Sequence, residues 1–276
     1  MSIFHYKADI IPVSIFSWFF LCDILVYLYI SHITFLVIYT VIGIILKWFI
    51  CAWNHHHQHV PTFSVPLLNR LLEIMYWFQT GIVSYAWVLH HNLGHHLHYQ
   101  DQSLDESAWR SPSGKQYSSF VYTCIVGLTA YARAWKVGTK FPQIQKYFIY
   151  ACIIQCSLLL ILIAYRPLAG VLIFLIPMIS GIIVTVYTTY HHHSGLDSED
   201  PYSSSYNIRE WWYNWLTGNL GYHTAHHLKG SLHWSLLPAL HRQIEHKIDP
   251  KYYKKYNLLW YSTPENNDSH LGQMAQ

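Results

Sequence analysis

The stretch "ITFLVIYTVIGIILKWFICAWNHHHQH", residues 33–59, joins a long apolar run to a cluster of histidines. A helix needs about 20 mostly apolar residues to cross a bilayer, and residues 33–53 reach that length. Four histidines follow at once, at positions 55, 56, 57 and 59. The stretch therefore predicts a membrane helix that carries potential metal ligands just past its end.

Three other runs, residues 11–30, 147–165 and 168–190, have the same length and apolar character. Short connections at Ser31-His32 and Arg166-Pro167 join the four runs into two hairpins. The chain is 52% hydrophobic and only 11% charged, whereas soluble domains carry about 25% charged residues. We therefore predict an all-α, multi-pass membrane protein with four transmembrane helices, built as a single domain over residues 1–276.

Two further apolar stretches, residues 67–89 and 118–138, contain charged side chains such as Glu73 and Arg133. Charges inside a span are costly, whereas a helix lying in the membrane interface tolerates them on one face. We expect both stretches to form interfacial or half-buried amphipathic helices rather than spans.

The distribution of charge predicts the orientation in the membrane. Lys and Arg accumulate on the cytoplasmic side, and one orientation leaves Arg166 as the only basic residue on the far side. We therefore expect both termini and segments 54–146 and 191–276 to be cytoplasmic. Lys47 is expected to snorkel to the interface, and Asp23 to be paired or protonated. The net charge of +3 is too small to suggest nucleic-acid binding.

The chain has 21 histidines, and fifteen of them fall in four clusters, at 55–59, 90–98, 191–193 and 223–227. With four spans, all four clusters lie on one membrane face. His223, His226 and His227 have the i, i+3, i+4 spacing that shares a helix face, and His55 and His59 are one turn apart. Neutral imidazole is a common ligand of iron, zinc and copper, so the pattern predicts a metal site.

The kind of metal site follows from what accompanies the histidines. The chain contains neither HExxH nor ExxH, which argues against a zinc peptidase and against a carboxylate-rich di-iron bundle. A site built almost wholly of histidine at a membrane face indicates two iron ions that activate dioxygen. A metal transporter is disfavoured, since transporters place ionisable ligands near the midplane of the membrane. Spacing alone leaves His56 as an alternative to His55, and favours His91, His95 and His98 in the second cluster.

The stretches "HHHQH" (55–59), "HNLGHH" (91–96) and "HTAHH" (223–227) resemble the three histidine boxes of the integral-membrane fatty acid desaturase and hydroxylase superfamily. "HHSGLD" (192–197) resembles the context of a further histidine ligand in that family. The stretch "NLGYHTAHHLKGSLHWSLLPALH" (219–241) is similar to the third-box region over its whole length. The resemblance extends from about residue 33 to residue 245.

This resemblance implies a four-helix membrane stalk beneath a cytosolic helical cap, with a di-iron centre between them. It places Thr189 where some members have an asparagine near the metals, and it selects His193 within the run 191–193. Asp101, Asp105 and Asp197 follow the boxes closely, and are either orienting partners of the ligands or ordinary loop acids. No catalytic residue is expected beyond the metal ligands. The implied ligands are His55, His59, His91, His95, His96, His193, His223, His226 and His227.

The implied activity is that of an oxidoreductase that uses two iron ions, dioxygen and reductant to desaturate a fatty acyl or lipid chain. A hydroxylase or ketolase of the same superfamily, acting on a lipid or carotenoid, is the alternative. The sequence contains no cytochrome b5 module, so we expect a separate electron donor of the ferredoxin or cytochrome b5 type.

Overall fold

The chain forms nine α-helices, a π-helical segment and one small hairpin in a computed structural model that describes residues 2–257 and 260–262. Short 3-10 turns cover Lys7–Asp9, Trp234–Leu236, Glu245–Lys247 and Pro250–Tyr252. The π-helical segment is Val88–His96, and the antiparallel hairpin pairs Lys255–Asn257 with Trp260–Ser262. The helices are α1 (Ile10–Tyr29), α2 (Ile33–His59), α3 (Pro66–Thr80), α4 (Ser119–Gly138), α5 (Pro142–Tyr165), α6 (Pro167–His193), α7 (Trp211–Thr217), α8 (His223–Leu228) and α9 (Leu237–Ile244).

Four of these helices, α1, α2, α5 and α6, are long and apolar enough to cross a membrane, which confirms the predicted fold class. Two of them continue beyond the predicted spans. Helix α2 runs on to His59 and α6 to His193, so both helices carry histidines on their last turns. The first and third histidine clusters, 55–59 and 191–193, are therefore positioned by the spans themselves rather than by loops.

The two turns that close the helix hairpins lie against each other at the end of the bundle remote from the histidines. Arg166, in the turn between α5 and α6, donates hydrogen bonds to the carbonyl of Ile30 and the hydroxyl of Ser31, at 2.8 and 2.6 Å. A third bond reaches the carbonyl of Tyr27. The Arg166 guanidinium thus donates to carbonyl groups at the C-terminal end of α1 and links the two hairpins.

An ion pair between two spans corrects the expectation for Lys47. Its ammonium lies 2.9 Å from the Asp23 carboxylate, and the two side chains are 2% and 0% exposed. The same ammonium donates to the carbonyl of Ile173, within a π-helical stretch of α6, and Tyr39 donates to Asp23. Lys47 therefore does not snorkel, because a buried carboxylate on the other helix of the same hairpin binds it inside the bundle.

The two ambiguous stretches have different outcomes. Helix α4 covers the predicted 118–138 closely and leaves Phe120 and Leu128 exposed on its outer face. Helix α3 ends at Thr80 rather than near residue 89, and most of its side chains are buried between α2 and α6. The helix is capped at its C-terminus by Gly81, which has a φ of 78°. A Cβ at this position would lie 2.3 Å from the carbonyl oxygen of Met178, so only glycine fits here.

Candidate metal centre

The second histidine cluster lies on the π-helical segment Val88–His96. A π-helix brings residues i and i+5 onto one face, in place of i and i+4. The Nε2 atoms of His91 and His96 are accordingly 3.0 Å apart. Gly94 permits this winding against the following loop, because a Cβ there would lie 2.9 Å from the Cγ of Glu106.

Five imidazoles converge in the first of two groups. The Nε2 atom of His91 lies 2.9 Å from that of His55, and the Nε2 atoms of His96 and His226 are 3.1 Å apart. One ligand atom from each member lies within 4.8 Å of the others. The first group consists of His55, His59, His91, His96 and His226.

Four imidazoles form the second group. His95, His193 and His227 have ligand atoms within 4.8 Å of one another. His223 joins them, since its Nε2 atom is 3.0 Å from that of His193 and 3.2 Å from that of His227. The structure therefore brings together all nine histidines selected by the family resemblance, divided five and four.

The short helix α8 connects the two groups. His223 and His227, one turn apart, point into the second group, while His226 between them points into the first. The rings of His96 and His227 stack with centroids 4.2 Å apart, so the groups adjoin directly. The start of α8 is held by Asn207, whose side chain accepts from the Thr224 amide and donates to the Thr224 hydroxyl.

The chemistry of these groups fits two nitrogen-bound metal ions. A neutral imidazole has only one N–H, so nitrogens that face each other at about 3 Å present more lone pairs than protons. That spacing matches ligands at right angles on one ion, each about 2.1 Å from it. Burial, followed by the neighbouring imidazoles, lowers the pKa of His91, His96 and His226 well below the usual value and keeps them neutral. Within the described part of the chain, the buried Nε2 of His59 has no hydrogen-bond partner.

Two histidines of the second group are oriented through their Nδ1 atoms. The Nδ1 atom of His95 lies 2.9 and 3.0 Å from the two carboxylate oxygens of the buried Asp105. The Nδ1 atom of His193 lies 3.1 Å from the carbonyl oxygen of Ser204. Both contacts place the proton on Nδ1 and leave the Nε2 lone pair for a metal. Nothing in the sequence pattern pointed to Ser204, because a backbone carbonyl leaves no mark on residue type.

The other two candidate carboxylates have different partners. Asp101 accepts from the backbone and hydroxyl of Ser103 in an exposed loop. Asp197 pairs with Arg110 at 2.6 Å, where both side chains are largely accessible to solvent. Of the three predicted aspartates, only Asp105 contacts a histidine of the two groups in the described structure.

The ring nitrogens of the neighbouring histidines face partners outside both groups, although the ring of His192 stacks on that of His223 with centroids 4.0 Å apart. The Nε2 atom of His56 lies 3.0 Å from the carbonyl of Thr217, and Nδ1 of His57 lies 2.9 Å from the hydroxyl of Thr62. His192 approaches the carbonyl of Tyr206 at 3.2 Å. The geometry therefore favours His55 over His56 and His193 over His192. It also favours His96 over His98, since the π-helical winding replaces the α-helical spacing that pointed to His98.

Two adjoining cavities lie beside the histidine groups. The larger, of about 670 Å³, is lined by five of the nine histidines together with apolar side chains of α2 and α6. The smaller, of about 590 Å³, is lined mainly by apolar and aromatic side chains that include Tyr122 and Val126. Both cavities contact Trp87, His91 and Thr189, so they meet beside the first group. Thr189 uses its hydroxyl to donate to the carbonyl of Thr185 in its own helix.

A family model described as fatty acid desaturase matches residues 31–260, a range that contains all four histidine clusters and three of the four candidate spans. No curated protein matches the chain.

Proposed function

Because the chain belongs to the fatty acid desaturase family, we propose that it is a membrane-bound di-iron oxidoreductase that desaturates a fatty acyl or lipid chain with dioxygen and reductant. The observation that carries this proposal is the pair of adjoining histidine groups on the wall of an apolar cavity. The apolar part of its wall would receive a hydrocarbon chain. The histidine groups would provide nitrogen ligands, and they form the polar part of the cavity wall.

We infer that each histidine group holds one iron ion. Bound iron would supply the activation of dioxygen and the oxidation of an unactivated C–H bond, chemistry that no amino-acid side chain performs alone. The nine histidines serve as ligands and not as acid–base catalysts, and no other catalytic residue is proposed. The first ion would be held by His55, His59, His91, His96 and His226, and the second by His95, His193, His223 and His227.

The remaining residues of the site position the ligands and the substrate. Asp105 and Ser204 fix the ring orientation of His95 and His193, and α8 sets the separation of the two groups. Trp87 and Thr189, where the cavities meet, would hold the chain against the first group. The smaller cavity would take the part of the chain beyond the reacting carbons, since its lining is mainly apolar.

We further propose that the site and both termini face the cytoplasm. Arg166 is the only basic residue at the opposite end of the two hairpins, as the positive-inside rule requires. The last residues, 263–276, lie outside the described part of the chain. Residues 1–276 would act as one domain, and electrons would come from a separate ferredoxin or cytochrome b5 type protein.

Product analysis tests the proposed reaction. Membranes that contain the protein, ferrous iron and a reductant would be given isotopically labelled lipid under labelled dioxygen. We expect an alkene that forms only when dioxygen and reductant are both present, and no product from His226→Ala. A product that carries oxygen from dioxygen would identify a hydroxylase or ketolase instead, and a product formed without dioxygen would exclude all three.

A further inference from the structure

Helix α7, Trp211–Thr217, has two faces of opposite character. Trp211 and Trp215, one turn apart, are 78% and 71% exposed. Tyr213 and Thr217, also one turn apart, are 3% and 4% exposed and line the larger cavity. Tryptophan is enriched at the membrane–water interface, where its apolar ring and its N–H are both accommodated. The outer face of α7 therefore fits the headgroup layer of a membrane.

The wall of the larger cavity beneath α7 comes from two spans. It contains Trp48 and Phe49 of α2 and Val184 and Thr188 of α6, all of them only half-buried. At 1.5 Å per residue, Phe49 lies about 24 Å along α2 from its far end, and Val184 about 26 Å along α6. Both distances fall within the roughly 30 Å hydrocarbon thickness of a bilayer. This part of the cavity wall therefore faces lipid.

A hydrogen bond between α2 and α6 lies at the lower edge of this region. The indole N–H of Trp48 donates to the hydroxyl of Ser180 at 2.7 Å and joins α2 to α6. Val184 and Thr188 lie one and two turns further along α6, on the side of the histidines. The half-buried wall thus extends from the Trp48–Ser180 bond up to the buried face of α7.

The lack of charged side chains in the cavity linings favours one of two kinds of acyl donor. Among the described residues, the linings of both cavities contain no Lys, Arg, Asp or Glu. A coenzyme A thioester brings several phosphate groups to the mouth of its site, and Arg and Lys are the residues that bind phosphate. An acyl chain of a membrane lipid needs no such groups, because its headgroup stays in the interface.

We propose that the acyl chain reaches the histidine groups sideways from the bilayer, between α2 and α6 and beneath α7. The substrate is then the acyl chain of a glycerolipid whose headgroup remains beside Trp211 and Trp215. This inference rests on the proposed desaturase-type function and adds the class of substrate and its route.

The test compares two donors of the same labelled acyl chain in nanodiscs that contain the iron-loaded protein. One donor is phosphatidylcholine and the other is the coenzyme A thioester. Val184→Trp should fill the opening and lower conversion of the phosphatidylcholine chain by about tenfold or more, with unchanged iron content. Ile183→Trp is the matched control, since Ile183 is the adjacent residue, is 51% exposed and does not line the cavity.

Each outcome decides a different point. Conversion of the thioester but not of phosphatidylcholine would overturn the substrate class and leave the oxidoreductase function intact. Conversion of neither donor by the unchanged protein would count against the proposed function itself. Full activity of Val184→Trp would show that the chain enters elsewhere. If Val184→Trp lost its iron, the smaller change Thr188→Leu in the same wall would decide, with a severalfold loss expected.

Discussion

Changing Asp105 to asparagine removes the negative charge that orients His95 in the second histidine group. One carboxylate oxygen of Asp105 accepts from His95 and also from the backbone N–H of Ser107, at 2.9 and 2.6 Å, and the other lies 3.0 Å from the same His95 nitrogen. In the asparagine variant, an NH₂ group replaces one of the two oxygens. The N–H of His95 then keeps at most a neutral acceptor and gains a neighbouring donor.

The size of the effect follows from this geometry. A buried hydrogen bond to a charged group contributes about 1.5–3 kcal/mol. Since about 1.4 kcal/mol corresponds to a tenfold change in an equilibrium constant, the metal affinity of the second group should fall about 10- to 100-fold. The first group should change much less, because Asp105 contacts none of its five histidines.

The assay is iron content after titration with a chelator. Asp105→Asn should release one of two ions at a lower chelator concentration than the unchanged protein, and retain the other. Asp101→Asn is the matched control, since Asp101 lies four residues earlier and bonds only within its exposed loop. Equal retention of both ions by Asp105→Asn and Asp101→Asn would refute the role given to Asp105.

Three further changes test other parts of the structure. His193→Ala should lose one iron ion and the product, whereas His192→Ala should keep at least part of both; the reverse result would move the ligand by one residue. Lys47→Met should lower the free energy of unfolding by about 3–5 kcal/mol in denaturant titrations, because the buried carboxylate of Asp23 then has no cationic partner. The double change Lys47→Met with Asp23→Leu should restore much of that free energy. A cysteine at Ser31 should react with an impermeant thiol reagent only from the non-cytoplasmic side, and labelling only from the cytoplasm would invert the topology.

The spans and the histidine pairs could be read from the sequence because each depends on local spacing. Twenty apolar residues suffice to specify a span, and a spacing of one turn suffices to place His55 with His59, and His223 with His227. The sequence did not predict that His226 would lie in a different group from His223 and His227, because this depends on the position of α8 between two other histidine clusters. That position is set by tertiary contacts such as the bond of Asn207 to Thr224.

The second cluster shows the limit of helical periodicity most directly. An α-helical period groups His91 with His95, whereas the π-helical winding groups His91 with His96 and turns His95 to the other site. The family resemblance selected these three residues, but residue spacing alone did not. Gly94 lies within this winding, and the close approach of Glu106 to it is visible only in the folded chain.

Contacts between distant segments account for the remaining differences. Lys47 and Asp23 lie 24 positions apart and meet only when the first hairpin closes, so each looked like an isolated charge in an apolar run. The three aspartates after the histidine boxes looked alike in sequence, yet among the described residues only Asp105 is buried against one of the nine histidines. The orienting partner of an imidazole is chosen by burial, which a single sequence does not specify at a loop position.

Metal analysis of the active protein decides whether the two histidine groups hold two iron ions. The protein would be purified in detergent or nanodiscs, loaded with ferrous iron without oxygen, washed, and analysed for metals alongside its dioxygen-dependent turnover. We predict two iron ions per chain in the active form, and one ion per chain in each of His226→Ala and His193→Ala. A single ion per chain, or zinc in the active form, would contradict a di-iron centre built from the two histidine groups.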